Sequence, residues 1–279
     1  MRIGIFSNEI KDIDNREAIK LSELLSNDNI VFLYRNSDRK KLQSIIKRDK
    51  IELLTVLGGD GTILGVVSAA ANNNVPILGI NMGNIGFLTE IEKGEDVVKL
   101  VNDLSSGIYN TDERTLLEIK YKDKSFYALN EVLISRNEDC CVTTVDVNID
   151  GTFMDRYLGD GVLVSTPTGS TAYSLSAGGP ILSPDMDAFI INPVCPHSLH
   201  NRPIVISDKH NLSLKLISDR TDAKITVDGR VIAIITKDEE ISVYKAKITA
   251  KFVRFNNLNF YKRLLIKMNY WSNTNIIKE

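Results

Sequence analysis

With 279 residues, of which 43% are hydrophobic and 25% charged, the chain has the composition of a globular domain protein and room for one large or two ordinary domains. No run approaches the ~18 apolar residues of a membrane-spanning helix, which excludes a helical membrane protein. A formal charge of −2 excludes a nucleic-acid binder that depends on a dominant basic field, so an anionic ligand has to be captured locally.

The opening segments alternate between strand and helix. "RIGIF" is a short apolar strand, the amphipathic run from Asn15 to Leu25 is a helix, and "IVFLY" is a second strand. "RKKLQSIIKR" follows as a helix, "IELLTVL" as a buried strand, "TILGVVSAAANN" as a helix and "VPILGIN" as a strand. This βαβα order predicts a doubly wound parallel sheet, in which ligands sit at the carboxyl ends of the strands. Both "GGDGT" and "NMGNIGF" fall there and are expected to share one crevice.

From about Thr111 the texture changes to alternating β segments: "TLLEIKY", "FYALNEVLIS", "TTVDVNIDG", "RYLGDGVLVST", "KITVDGRVIAI" and "ISVYKAKITAKFVRF". The pairs Asp150-Gly151, Asp160-Gly161 and Asp228-Gly229 read as tight turns between them. The final "NFYKRLLIKM" is helical and is expected to return to the first domain. The expected division is therefore 1–110 with 256–279 as an α/β domain, and 111–255 as a β-rich domain.

Cys140, Cys141 and Cys195 form no CxxC pair, and three cysteines cannot all pair as disulfides. With no signal-peptide pattern at the start, the expected compartment is the cytoplasm. His197 and His200 have i,i+3 spacing, but no cysteine or carboxylate pattern completes a zinc site.

The chemistry concentrates in two places. In "LGGDGTILG", paired glycines at a strand-to-helix junction let the backbone turn sharply and bring its N–H groups toward an anion, with a helix N-terminus behind them. A bare turn, with Asp60 or Thr62 as helix cap, reads the same residues without a ligand. The carboxylate distinguishes the two, because a simple phosphate cradle has no use for Asp60, whereas a base or a metal neighbour does. The second place is "GDGVLVSTPTGSTAYSLSAGGPILSP", whose small residues admit a flat polar ligand. Ser165, Thr166, Thr168, Ser170, Thr171, Ser174 and Ser176 offer hydrogen bonds, and Tyr173 offers a ring. The same composition also makes an ordinary surface loop. Asn130 and Glu131 stand adjacent in an apolar strand, where at least one needs a partner; an amide and a carboxylate suit ribose hydroxyls.

These stretches, with "GINMGNIGFLTE" at 79–90, "NPVCPHSLHNRPIV" at 192–205 and "DG" at 228–229, resemble the NAD kinase family over most of the chain and in consistent order. "GGDGT" is shared with lipid kinases and more loosely with phosphofructokinases; "STPTGSTAYSLSAGGP" is far more specific. The resemblance implies phosphoryl transfer from ATP, or polyphosphate, to the 2′-hydroxyl of the adenosine ribose of NAD, giving NADP. It implies Asp60 as the proton acceptor and Gly58, Gly59, Gly61 and Thr62 as holders of the donor phosphates. For NAD it implies Asp60, Gly61, Asn130, Glu131 and Asp160, with the run Thr171, Ala172, Tyr173, Ser174, Leu175 and Ser176 as a wall of the pocket. Such a reaction needs positioning and an oriented hydroxyl more than covalent help.

Mg²⁺ is expected with the triphosphate rather than in a fixed protein cage, since phosphate oxygens suit a hard cation that keeps its waters. A homotetramer or homodimer is also implied, with no nucleic acid and no membrane as partner. Two departures stand out. Many relatives have "DGQ" where this chain has "DGR", which makes any contact from Arg230 cationic, and some have a basic residue near Cys141 and Leu158 that is missing here. His197 and Arg202 match the family pattern and are read as a buried hydrogen-bonding histidine and a structural arginine. A lipid kinase would need an apolar slot, which the polar small-residue loop does not provide; a non-catalytic nucleotide sensor would have no need to keep Asp60. The absence of G-x-G-x-x-G and of GxxxxGK[ST] argues against a dehydrogenase and a P-loop enzyme.

Overall fold

The computed structural model describes residues 1–83, 86–91, 103, 104, 106, 107, 109–137, 142–198, 202–218, 222–255 and 260–273, with side chains to residue 268. Cys140, Cys141 and His200, and Asn84 and Ile85 of the second glycine-rich loop, lie outside these residues. The chain divides into two compact units, Met1–Glu113 with Ala250–Glu279, and Arg114–Thr249.

In the first unit the order is β1 (Arg2–Ser7), α1 (Arg16–Leu25), β2 (Ile30–Tyr34), α2 (Leu42–Asp49), β3 (Leu53–Gly58), α3 (Asp60–Leu64), α4 (Val67–Asn72) and β4 (Ile77–Asn81). The strands are parallel in the order β2-β1-β3-β4, and Phe252 near the chain's other end pairs in parallel with Ile77 of β4. β3 and β4 are buried along their whole length, which is why they read as unbroken apolar runs. α1 buries Ala18, Leu21 and Leu25 against Ile3, Ile5, Leu53 and Leu57. Its first turn is held by the buried carboxylate of Asp12, which accepts the N–H groups of Glu17 and Ala18, both at 3.0 Å. The segment expected as one helix, 62–73, is two short ones. Gly65 keeps helical angles and the break comes at Val66, with φ −122°; at Gly65 the Arg39 guanidinium fills the space where a side chain would stand, 2.4 Å from a Cβ. The C-terminal helix, Phe260–Asn273, also belongs to this unit, in agreement with the expected return.

The remaining strands are β5 (Asn110–Tyr121), β6 (Lys124–Ala128), β7 (Glu131–Arg136), β8 (Thr143–Ile149), β9 (Thr152–Gly159), β10 (Gly161–Ser165), β11 (Ala188–Val194), β12 (Ile204–Ser207), β13 (Leu212–Leu216), β14 (Ala223–Val227), β15 (Arg230–Ile235) and β16 (Glu240–Arg254). In the second unit they form two sheets. One has the order β12-β11-β10-β7-β14-β15; the other contains β16-β13-β8-β9 with β5 and β6. Alternate residues of each, such as Val132, Ile134, Val162 and Val164 against Val145, Val147, Leu212 and Leu214, join in one core.

Asp150-Gly151 and Asp228-Gly229 have positive φ at both residues (48° and 78°, 44° and 75°), the geometry of a two-residue hairpin that follows the strand twist. Asp160-Gly161 does not turn a hairpin, contrary to the sequence expectation. β9 and β10 lie in different sheets, and the chain crosses between them there. Gly161 is needed for close packing, since a Cβ would stand 2.3 Å from the Ile134 carbonyl oxygen. The run "FYALNEVLIS" is likewise not one strand: it breaks at Leu129 and Asn130, where the chain also changes sheets.

Candidate active site

In the strand order β2-β1-β3-β4, the direction of winding reverses between β1 and β3. The crevice outside the carboxyl ends of those two strands is where a doubly wound sheet takes its ligand. Here it is a cavity of about 360 Å³ lined by Asn8, Lys11, Gly59, Asp60, Gly61, Thr62 and Gly86. A neighbouring hollow of about 280 Å³ shares Asn8, Gly61 and Thr62 and adds Ile10, Asn36 and Arg39. The two glycine-rich loops do meet: the Met82 N–H donates to the Gly58 carbonyl at 3.0 Å, and the Asp60 carboxylate accepts from Phe87 N at 2.9 Å and Leu88 N at 3.1 Å.

Four glycines of the two loops have a steric reason, whereas a Cβ on Gly61 would meet nothing within 4 Å. A Cβ on Gly58 would strike the Thr62 hydroxyl at 2.3 Å, and one on Gly86 would strike Asp60 Oδ1 at 2.3 Å. At Gly59 and Gly83 the hypothetical Cβ would lie 3.0 and 3.2 Å from Lys11 Nζ, so these glycines let the ammonium come down onto the corner. Thr62 is buried and accepts a hydrogen bond from the Asn8 amide at 3.0 Å. Because α3 is only five residues long, its dipole is small, and the positive charge expected from a helix end is supplied chiefly by Lys11 and Arg39.

The C-terminal helix closes on the same corner. Lys267 Nζ lies 3.7 Å from Asp60 Oδ2 and 3.9 Å from the centre of the Phe87 ring. One turn earlier Arg263 pairs with the buried carboxylate of Glu90 and donates to the Thr89 carbonyl. Arg254 also pairs with Glu90, at 3.1 Å. Lys11, Arg39 and Lys267 come from segments with no local motif, so sequence reasoning missed them; an isolated basic residue in a helix carries no signal of what it will face.

In the second unit, Asn130 and Glu131 sit at the sheet crossing. The Asp228 carboxylate accepts the N–H groups of Leu129 (2.8 Å), Asn130 (2.8 Å) and Glu131 (3.1 Å). The carbonyl of Asn130 in turn accepts Thr166 N at 2.9 Å and the Ser165 hydroxyl at 3.1 Å. Burial first, and the neighbouring Asp228 second, push the Glu131 carboxyl up to about 8. Asp228 is raised as well, by its own burial, although the three N–H donors and Arg230 oppose the shift.

The loop after β10 departs from expectation. Ser165, Thr166, Ser170 and Ser174 are fully buried, and Thr168 is nearly so. Their hydroxyls are spent on the protein itself: Thr166 on the Leu129 carbonyl, Ser170 on Pro167 and Leu182, and Ser174 with Asn192. They shape the loop, and the Ser174 side chain points inward instead of outward as expected. Thr171, Ala172 and Leu175 are partly exposed, and Tyr173 and Ser176 are exposed. Burial raises the Tyr173 phenol, with smaller contributions from Cys195, Asp160 and Glu131. Asp160 is partly exposed and pairs with Arg136 at 3.4 Å. Leu158 is exposed, and its carbonyl accepts His197 N at 2.8 Å; Arg230 is exposed at the end of the Asp228-Gly229 turn. His197 and Arg202 are exposed too, so the histidine is not buried as expected.

A parallel α/β unit with a carboxylate held at a glycine corner, joined to a β-sandwich unit with a pinned small-residue loop, defines a two-domain kinase-type fold. Residues 3–109 match the model of the ATP-NAD kinase N-terminal domain and residues 129–255 that of the ATP-NAD kinase C-terminal domain. The chain is 36% identical over 268 residues to a NAD kinase of Caldicellulosiruptor saccharolyticus, covering 96% of this chain and 99% of that protein. It is 37% identical over 278 residues to a NAD kinase of Clostridium botulinum, covering 97% of each. Among solved structures it resembles yeast NADH kinase complexed with NADH (TM-score 0.85, 27% identity, 100% of this chain and 90% of that one). It also resembles a NAD kinase from Archaeoglobus fulgidus in complex with ATP (TM-score 0.77, 25% identity, 98% and 99%). The chain belongs to the NAD kinase family.

Proposed function

We propose that this protein is a NAD kinase that transfers the terminal phosphoryl group of ATP, or of polyphosphate, to the 2′-hydroxyl of the adenosine ribose of NAD, forming NADP. The observation that carries this reading is the Asp60 carboxylate, fixed by two backbone N–H groups beside a cavity that Lys11 makes electropositive. The hydroxyl proton passes to Asp60, the hydroxyl oxygen forms the new bond to phosphorus, and the bond from phosphorus to the donor's bridging oxygen breaks with its electron pair leaving on the donor. Gly58, Gly59, Gly61 and Thr62 hold the donor phosphates with Lys11. Asn130, Glu131, Asp160, Tyr173 and the exposed part of 171–176 receive the dinucleotide.

A divalent cation, Mg²⁺, belongs with the donor. Phosphate oxygens suit a hard cation that keeps its waters, so the donor phosphates and waters would supply its ligands. When bound, it neutralises charge on the phosphates. The protein is read as a cytoplasmic homodimer or homotetramer. No helix among the described residues is long and apolar enough to cross a membrane.

The direct test is NADP formation from NAD and Mg-ATP by the purified protein, with Asp60→Asn beside it. The parent should form NADP, and the variant should bind NAD but lose about 100-fold or more in turnover. Unchanged turnover in Asp60→Asn would remove the carboxylate from the mechanism. No NADP from a folded parent with ATP or polyphosphate would overturn the assignment.

A further inference from the structure

We propose that Lys267 is a positioning residue for phosphoryl transfer, which orients the Asp60 carboxylate so that Oδ1 is the oxygen that accepts the hydroxyl proton. The inference rests on the reading of Asp60 as the base. Each carboxylate oxygen has two acceptor sites. On Oδ2 one is used by the Phe87 N–H at 2.9 Å, and the Lys267 ammonium, 3.7 Å away as an ion pair, draws charge to that oxygen. On Oδ1 the Leu88 N–H at 3.1 Å uses one. The remaining site of Oδ1 is the one left for a substrate hydroxyl.

Lys267 is built into this place. Its side chain is 14% exposed, against 31% for Asp60. Its ammonium lies over the ring of Phe87, the residue whose amide also binds Asp60, so the ring, the amide and the cation hold the carboxylate together. Arg263, one helical turn earlier on the same face, pairs with the buried Glu90 and fixes the register of the helix. On the other side, Gly86 lets Oδ1 approach to where any side chain would collide. A carboxylate gripped in this way cannot turn its proton-accepting lone pair away from the hydroxyl, and misplacement of a reacting group by about 1 Å costs roughly 100-fold in rate.

The test compares Lys267→Met and Lys267→Arg with the parent and Asp60→Asn, reading kcat, KM for NAD, KM for Mg-ATP and the melting temperature. Lys267→Met should lower kcat about tenfold or more and leave both KM values within about twofold, with melting close to that of the parent. Lys267→Arg, which restores the cation, should recover most of kcat. Should Lys267→Met fail to fold, Lys267→Gln is read the same way. An unchanged kcat, or a joint change of kcat, KM and melting temperature that arginine does not reverse, overturns the positioning role. Asp60→Asn separates the two levels: full turnover in that variant would sink the base itself, whereas its loss with normal Lys267→Met turnover would sink only Lys267.

Discussion

Glu131 carries its carboxyl where water hardly reaches: the residue is 8% exposed and its Oε2 has no hydrogen-bond partner among the described residues. A buried acceptor without a partner costs free energy that a bound ligand hydroxyl would recover, which supports the proposal that the dinucleotide binds there. Its acidity follows from the same burial. From an ordinary value of 4.5 the folded protein raises it to about 8, so between those values the folded state keeps a proton that the unfolded chain gives up. The stabilising contribution is therefore full below about pH 4.5 and is lost as pH rises toward 8. Glu131→Gln keeps the shape and removes the titration. Between about pH 5 and pH 8 the melting temperature of the parent should fall more steeply than that of the variant, by several degrees. Parallel melting curves in calorimetry would mean that Glu131 is ionised throughout.

At the scale of elements, the β14–β15 hairpin matters for what it does to a segment almost a hundred residues away. Its Asp228 gathers three consecutive N–H groups at the point where the chain leaves one sheet for the other, and so sets the direction of Asn130 and Glu131. Asp228→Ala leaves three N–H donors unmet, two of them buried and one partly buried. The expected loss of stability is about 3 kcal/mol or more, with KM for NAD rising more than kcat falls. Asp228→Asn, which keeps one acceptor oxygen, should fall between variant and parent. Urea denaturation and NAD kinetics on both variants check this, and wild-type values for Asp228→Ala would show that the anchor is dispensable.

The same elements mark what the amino-acid pattern can and cannot disclose. β3 followed by Gly58 and Gly59, the alternation in β8, and the Asp-Gly hairpins were legible because a period or a left-handed turn leaves a local trace. The sheet crossings at Asn130 and Asp160 were not, since a strand alternates in the same way whether the chain stays in its sheet or leaves it. Nor were the inward hydroxyls of Ser165, Ser170 and Ser174, whose composition is that of a surface loop. Lys267 was invisible for a different reason: its partner, Asp60, stands more than two hundred residues earlier.

For the molecule as a whole, the six-stranded sheet of the second unit ends in two strands that present apolar side chains to solvent, Ile204 and Val205 on β12 and Val231 and Ile234 on β15. Such edges invite pairing with another chain unless something covers them. In solution, light scattering should give two or four times the 31.1 kDa of one chain. Val231→Lys combined with Ile234→Lys should lower that mass if β15 is the covered edge. A parent that runs as a monomer at every concentration would overturn the oligomer reading.

The first unit begins at Met1 and includes Ala250–Glu279, with the whole second unit between. During synthesis its first 113 residues therefore leave the ribosome without Phe252 and Val253, which belong to its buried core, and without Arg254 and Arg263, which neutralise Glu90. At ~5–20 residues per second the missing strand end follows on the order of ten seconds later, after all of Arg114–Thr249. A nascent or prematurely ended chain thus carries the glycine corner and its carboxylate but not the helix that closes on them. The segment that completes the glycine corner is made only after all of Arg114–Thr249.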